Sequence, residues 1–375
     1  MRLPDVRSIE KFTERWVLLR APLNAPILEG YVTSNFRIKS SIPTIRYLSE
    51  RGARVVLLSH VSGDLSGTIE PVYHELKKHI DVSFVPDVLG EGVQRAIDSM
   101  RDGNVVLLEN IRRADGEIEN DKGLAEKLAT FGNFYVNDAF GVSHRVHSSV
   151  VAITKFLPSY AGIQMQSEVD HLLKARKPTG TSIAILGGMK FDAKEPLVEK
   201  FLGSYERVAV VGALANSFLR ARGYEIGLSL ASTADTAQKL VQSEKLILPV
   251  DVVVESGGHT STKNADQVAP DETIVDVGPE TVAQLAHIVE NSSYVLWNGP
   301  LGKYERGYGK PTEELASAIA GSRAYSVIGG GDTIAAIESC GLEDQFSFVS
   351  TGGGAMLQFL LDGTLPGIEA LKYQH

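Results

Sequence analysis

The sequence predicts an α/β chain built on two doubly wound parallel sheets, and three observations carry that reading. Short apolar runs alternate with stretches of helical period along nearly all of the 375 residues. The runs are apolar at successive positions, as strands are when helices cover both faces of their sheet. The length, at roughly 150 residues per domain, suits two domains.

Taken in order, the first part offers WVLLR (16–20), RVVLLSH (54–60), VVLLEN (105–110) and FYVNDAF (134–140) as strands. The second offers IAILGG (183–188), RVAVVG (207–212), LILPVDVVV (246–254), YVLWNG (294–299), YSVIGGG (325–331) and SFVSTGGG (347–354). The intervening segments suit crossover helices, among them residues 43–51, 123–131, 195–202, 279–290 and 311–320. A break follows residue 150. The stretch LPSYAGIQMQSEVDHLLKARKPTG (157–180) reads as a polar-faced connecting helix that ends in a Lys/Pro/Gly loop.

Composition narrows the function. Hydrophobic residues make up 43% and charged residues 22%, which describes an ordinary globular protein and excludes wholesale disorder. The one cysteine, Cys340, excludes a disulfide scaffold and a multi-cysteine zinc site. No run approaches the ~18 apolar residues of a membrane span. The start, MRLPDVRSIEKFTER, is too polar for a signal peptide, so a reducing cytoplasmic setting is expected. A net charge of −9 argues against broad nucleic-acid binding. That charge is uneven: residues 1–160 hold 20 basic and 20 acidic residues, and residues 161–375 hold 17 and 26. The two parts therefore look built for different ligands.

In open α/β sheets, ligands bind beyond the carboxyl ends of the strands. Asn24, His60, Arg112 and the group His144, Arg145 and His147 follow the strands of the first part, and Arg37 lies in SNFRIKSS. Arginine grips carboxylate and phosphate with paired N–H bonds, so this rim suits a small polyanion. The histidine pair in HRVH lacks a third ligand nearby, which favours a hydrogen-bonded role over metal. In the second part the strand ends carry glycine: Gly187–Gly188, Gly212, Gly299, Gly329–Gly331 and Gly352–Gly354. Where such a loop opens a helix, free N–H groups point at an anion, so a nucleotide-phosphate site is expected. Neither the Walker spacing nor GxGxxG is present. Lys190 and Lys194 follow the first diglycine and would share a face near a helix N-terminus as a phosphate clamp. Asp332 in GGGDT reads as a helix N-cap or a magnesium ligand. Glu305 could accept bonds from ribose hydroxyls.

An arginine-rich cup and a glycine-rich anion site imply two anionic substrates brought together, and phosphoryl transfer fits, since its catalysis is mostly positioning and charge stabilisation. No Ser-His-Asp or Cys-His nucleophile signature is present. A nicotinamide oxidoreductase lacks its fingerprint here.

The motifs RAPLNAP, RIKSSIPTI, LLSH, LLENIR, YVNDAFGVSHRVHSS, ILGGMK, LPVDVV, VLWNGPLGKYE, VIGGGDT and VSTGGGAMLQFLLDGTLPG run from about residue 16 to the C-terminus. In that order they resemble the successive motifs of phosphoglycerate kinases. The resemblance implies two Rossmann-like domains, 1–162 plus 363–375 and 163–362, with a linker helix at about 157–176 and a hinge-linked cleft between them. It implies reversible phosphoryl transfer between 1,3-bisphosphoglycerate and ADP, giving 3-phosphoglycerate and Mg-ATP, by a monomer that binds neither nucleic acid nor membrane. Asn24, Arg37, His60, Arg112 and Arg145 would hold the glycerate. Lys194, Asn298, Glu305, Gly330, Gly331, Asp332 and Thr333 would hold the nucleotide, with Asp332 facing Mg2+. Arg37, Lys190 and the backbone N–H groups near Gly330 and Gly353 would stabilise the phosphoryl group in transfer. Three departures stand out. The family's RVDFN reads RAPLN, placing Pro22 where an aspartate would meet the glycerate hydroxyl. SHLGRP reads SHVSGD, with Gly63 in place of an arginine. Ala193 replaces the aspartate before the second lysine. These departures leave open a kinase for a related phospho-acid, or a nucleotide-binding regulatory protein without turnover.

Overall fold

The computed structural model describes residues 1–62, 67–233 and 235–372. The chain divides into two compact units, Met1–Asp170 with the C-terminal stretch from Thr364, and His171–Gly363. The boundary falls inside the helix Ile163–Arg176. No helix among the described residues is long and apolar enough to cross a membrane.

The first unit holds β1 (Trp16–Arg20), a two-residue hairpin of β2 (Ile27–Leu28) and β3 (Tyr31–Val32), then β4 (Arg54–Leu58), β5 (Ser83–Val85), β6 (Val105–Leu108), β7 (Phe134–Asn137) and β8 (Ser159–Ala161). Six of these form one sheet in the order β5-β6-β4-β1-β7-β8, every pairing parallel. Strands are added on both sides of β1, as in a doubly wound sheet, with β5 placed outside β6. Val17, Leu18 and Leu19 of β1 and Val55, Val56 and Leu57 of β4 are fully buried, which is why those runs read apolar at every position.

The second unit holds β9 (Ser182–Leu186), β10 (Arg207–Val210), β11 (Leu246–Ile247), β12 (Asp251–Ser256), β13 (His259–Asn264), β14 (Thr273–Val277), β15 (Tyr294–Asn298), β16 (Tyr325–Gly329) and β17 (Phe348–Val349). Its main sheet runs β11-β10-β9-β15-β16-β17, again all parallel. Trp297 of β15 lies fully buried at its centre, with Nε1 donating to the Gly299 carbonyl at 2.8 Å.

Four expectations need correction. The run LILPVDVVV is two strands, not one. Pro249 cannot donate to a ladder, and the chain leaves the main sheet after β11 to build an antiparallel sheet in the order β13-β12-β14. The run FYVNDAF ends as a strand at Asn137, and Phe140–Val142 is a 3-10 turn. The stretch from 157 opens as edge strand β8, and the helix begins only at Ile163. The helix expected at 43–51 spans Phe36–Ser49, with Pro43 inside it. The first-unit edge strands β5 and β8 are three residues each, too short to leave a pattern in the sequence.

Candidate active site

In the first unit the parallel strands aim their carboxyl ends at one rim. Arg20 ends β1, His60 stands two residues beyond β4, and Arg112 sits in the 3-10 turn Ile111–Arg113 beyond β6. His60 is buried, and burial first, then the charges of Arg20, Arg112, His147 and Arg145, holds its imidazole well below the usual value. Groups from three other strand ends are thus within electrostatic reach of one ring. Arg112 is itself lowered, by burial and then by the like charges of Arg145 and Arg20. Such crowding of cations costs free energy without a ligand and is relieved by an anion.

The helix Phe36–Ser49 brings Arg37 to the same end of the sheet. Its Nη1 donates to the Asn24 carbonyl at 2.7 Å. The Asn24 amide is engaged with Ser62: Nδ2 donates to its hydroxyl and Oδ1 accepts its backbone N–H, each at 2.8 Å. Arg37, Asn24 and the loop carrying His60 therefore form one linked group. Burial lowers Arg37 from its ordinary value, and Glu168 offsets this in part. Pro22 is buried between Ala21 and Leu23. Gly63 lies outside the described residues.

Sequence reasoning missed Arg20, Ser149 and Glu117, all buried behind this rim. The signal for Arg20 was present: it is the charged last residue of an otherwise apolar strand.

In the second unit, glycines follow five neighbouring strands, β9, β15, β16 and β17 and, on the other side of β9, β10. The first two loops pack backbone to backbone. A Cβ on Gly187 would meet the Pro300 carbonyl oxygen at 2.2 Å, so only glycine fits. Gly330, with φ of 106°, precedes the helix Gly331–Ser339, and Gly353, with φ of 51°, precedes the helix Gly354–Asp362. Two helix N-termini with uncapped amides thus sit at adjacent strand ends. Gly330 is the N-cap, so Asp332 is not; it is an exposed carboxylate in the first turn. Thr333 is buried and its hydroxyl accepts the Gly299 N–H at 2.9 Å. Asn298 is buried too, its Nδ2 turned to the Met356 sulfur at 3.6 Å.

The two lysines lie four apart at the start of one helix and differ in burial. Lys190 is the exposed N-cap of the helix Phe191–Leu202, whereas Lys194 lies inside it and is buried. The Lys194 ammonium donates to the carbonyls of Gly187 and Asn298, the latter at 3.3 Å. Burial, then the charge of Lys190, brings it down to about 7, and Asp332 opposes this. Ala193 and Asp192 are both exposed.

Beside these strand ends lies a partly open pocket. Gly188 and Gly212 line it, with apolar Leu230 and Ile274 and the carboxylates of Glu305 and Asp332. Asp276 also lines it, a residue the sequence did not single out. Its carboxyl is pushed up to about 7, chiefly by burial. Among the described residues no three His, Cys, Asp or Glu side chains converge as a metal site.

Parallel α/β units carrying an arginine-rich rim and glycine-edged strand ends define the class of a phosphotransferase. The family model for phosphoglycerate kinase matches residues 6–363. The chain is 38% identical to the phosphoglycerate kinase of Methylorubrum extorquens (strain PA1), covering 96% of each, and 37% identical to that of Dictyoglomus turgidum, covering 98% of each. It is similar to the solved structures of phosphoglycerate kinase from Pyrococcus horikoshii OT3 (TM-score 0.88, 30% identity, 98% of each chain) and Coxiella burnetii (TM-score 0.82, 34% identity, 99% of each chain). The chain therefore belongs to the phosphoglycerate kinase family, and it is an enzyme that moves a phosphoryl group between a small molecule and a nucleotide.

Proposed function

We propose that the chain catalyses the reversible transfer of a phosphoryl group between 1,3-bisphosphoglycerate and ADP, giving 3-phosphoglycerate and ATP. The observation that carries this is the first-unit rim. His60, with Arg20, Arg112 and Arg145 in electrostatic reach, answers a small molecule with more than one negative group. In this reading Asn24, Arg37, His60, Arg112 and Arg145 hold the glycerate. Lys194, Asn298, Glu305, Gly330, Gly331, Asp332 and Thr333 hold the nucleotide.

The acceptor in either direction is a carboxylate or a phosphate, ionised at neutral pH, so no general base is needed. The work is charge stabilisation. Arg37, Lys190 and the free amides at Gly330 and Gly353 would meet the charge spread over the phosphoryl oxygens. Mg2+ would supply Lewis-acid polarisation of the phosphates and, as it commonly does, arrive with them and take one protein carboxylate. The exposed Asp332 carboxylate in the first turn beyond Gly330 fits that requirement. A reducing, cytoplasmic setting accords with the single thiol.

The test is ADP formation from Mg-ATP with 3-phosphoglycerate and with a panel of related phospho-acids. The reading expects the highest kcat/KM with 3-phosphoglycerate. A better acceptor within the panel would make this a kinase for a related phospho-acid, as the replacement at Pro22 would allow. ATP binding with no turnover on any acid would make this a regulatory relative.

A further inference from the structure

Arg20 is among the largest fully buried side chains of the protein, and the reading above gives it no direct contact with a ligand. Its hydrogen bonds hold the guanidinium in place. Nε donates to the Ser149 hydroxyl at 2.9 Å, Nη1 to the Ala21 carbonyl at 3.3 Å and Nη2 to Nδ1 of His60 at 2.9 Å. Ser149 passes the interaction on. Its hydroxyl donates to Glu117 Oε1 at 2.6 Å, and its backbone N–H donates to Oε2 at 2.9 Å. The Tyr135 hydroxyl donates to the Ser149 carbonyl at 2.6 Å. Glu117 thus balances the buried charge of Arg20 across a single hydroxyl.

A guanidinium carries only donors, so the nitrogen it meets on His60 must accept. A neutral imidazole accepts on one nitrogen and carries its proton on the other. We propose that Arg20 is a positioning residue that holds His60 neutral with its proton on Nε2, so that His60 offers the glycerate ligand a directed hydrogen-bond donor and not a positive charge. The ligand end of this statement rests on the proposed glycerate site. The state of the ring does not.

The groups facing His60 agree with this division of labour. Arg20 comes from β1, Arg112 from the turn after β6, and Arg145 and His147 from the segment after β7. All are basic. The acid behind them, Glu117, is bound to Ser149, with His147 Nδ1 3.7 Å away. Protonating Nδ1 would set an N–H against an N–H and add a cation to a buried cluster of cations. The ligand's charge is then met by the arginines, and His60 supplies geometry.

The test is nitrogen NMR of the full chain labelled at histidine and free of ligand, with His60 assigned by the loss of its signals in His60→Gln. The proposal expects a bare Nδ1 and a protonated Nε2, unchanged between about pH 8 and about pH 5.5 while an ordinary imidazole would charge. A proton on Nδ1, or a charged His60 at the lower pH, overturns it. In Arg20→Met, His60 should take up a proton at a higher pH than in the wild type, and KM for 3-phosphoglycerate should rise about tenfold or more with kcat little changed. An unaltered His60 titration in Arg20→Met also overturns the proposal. If that variant does not fold, the wild-type spectrum decides alone. Because the ring is observed without ligand or turnover, failure of the kinase reading leaves this result interpretable.

Discussion

The backbone N–H of Gly299 donates to the buried hydroxyl of Thr333 at 2.9 Å, pinning the glycine turn after β15 to the first turn of the helix that follows Gly330. Two anion-facing loops from adjacent strands are thereby held as one piece. Thr333→Val keeps the shape and deletes the acceptor, leaving a buried amide unpaired. Urea unfolding should show a loss of about 1–3 kcal/mol, with weaker nucleotide binding, and Thr333→Ser should restore most of both. A valine variant as stable as the wild type would show that the bond does not hold the loops.

Lys194 couples the nucleotide site to pH. Its folded-state value of about 7 lies below the ordinary lysine value of 10.5 because burial disfavours the charge. Below about 7 the lysine is charged in both folded and unfolded states, and the cost of burying it is fully present. Between the two values the unfolded chain holds the extra proton, so stability rises with pH across that window. An anionic nucleotide beside Lys194 raises its value again. Nucleotide binding at about pH 8 should therefore take up a proton, read by calorimetry in buffers of different ionisation enthalpy. The uptake should fade near pH 6 and vanish in Lys194→Arg. Binding at pH 8 without proton uptake would refute this.

Asp276 works in the opposite sense. Its carboxyl is raised to about 7 by burial, with Glu314 adding repulsion and the Val277 N–H opposing both. From its ordinary value of 3.8 up to about 7 the folded state holds the extra proton, so stability falls as pH rises through that range. Asp276→Asn removes the charge and keeps the acceptor for the Val277 amide, which now takes the side-chain oxygen at 2.8 Å. The variant should be more stable than the wild type at pH 8, and the gain should shrink towards pH 4. An equal gain at both ends would mean that charge burial is not the cause.

Lys190 is an exposed N-cap, and no hydrogen bond of the fold depends on its side chain among those described. Lys190→Ala should leave the protein folded and lower kcat by more than about a hundredfold, as loss of a preorganised charge stabiliser does. Near-normal kcat would assign charge stabilisation to other groups.

Much of this was legible in the sequence where strands are central and two-sided. WVLLR, RVVLL, SIAIL and YVLWN are apolar at nearly every position because helices cover both faces, and the glycines or cations just beyond them mark the rims. Edge strands β5 and β8 left no such trace. The departure of the chain after Ile247 was readable only from Pro249. Side-chain direction was not legible at all. Spacing puts Lys190 and Lys194 four apart at a helix start, but does not tell that one caps the helix in solvent while the other is buried against carbonyls. Arg20, Ser149 and Glu117 meet from separate segments, and no local pattern announces that.

The central claim is that a phosphoryl group passes from the nucleotide to a carboxylate and not to water. Hydroxylamine traps an acyl phosphate as a hydroxamate. Incubated with Mg-ATP, 3-phosphoglycerate and hydroxylamine, the purified chain should form ADP and acyl hydroxamate in equal amounts, both only when 3-phosphoglycerate is present. ADP accumulating without hydroxamate, or no ADP at all, would contradict it.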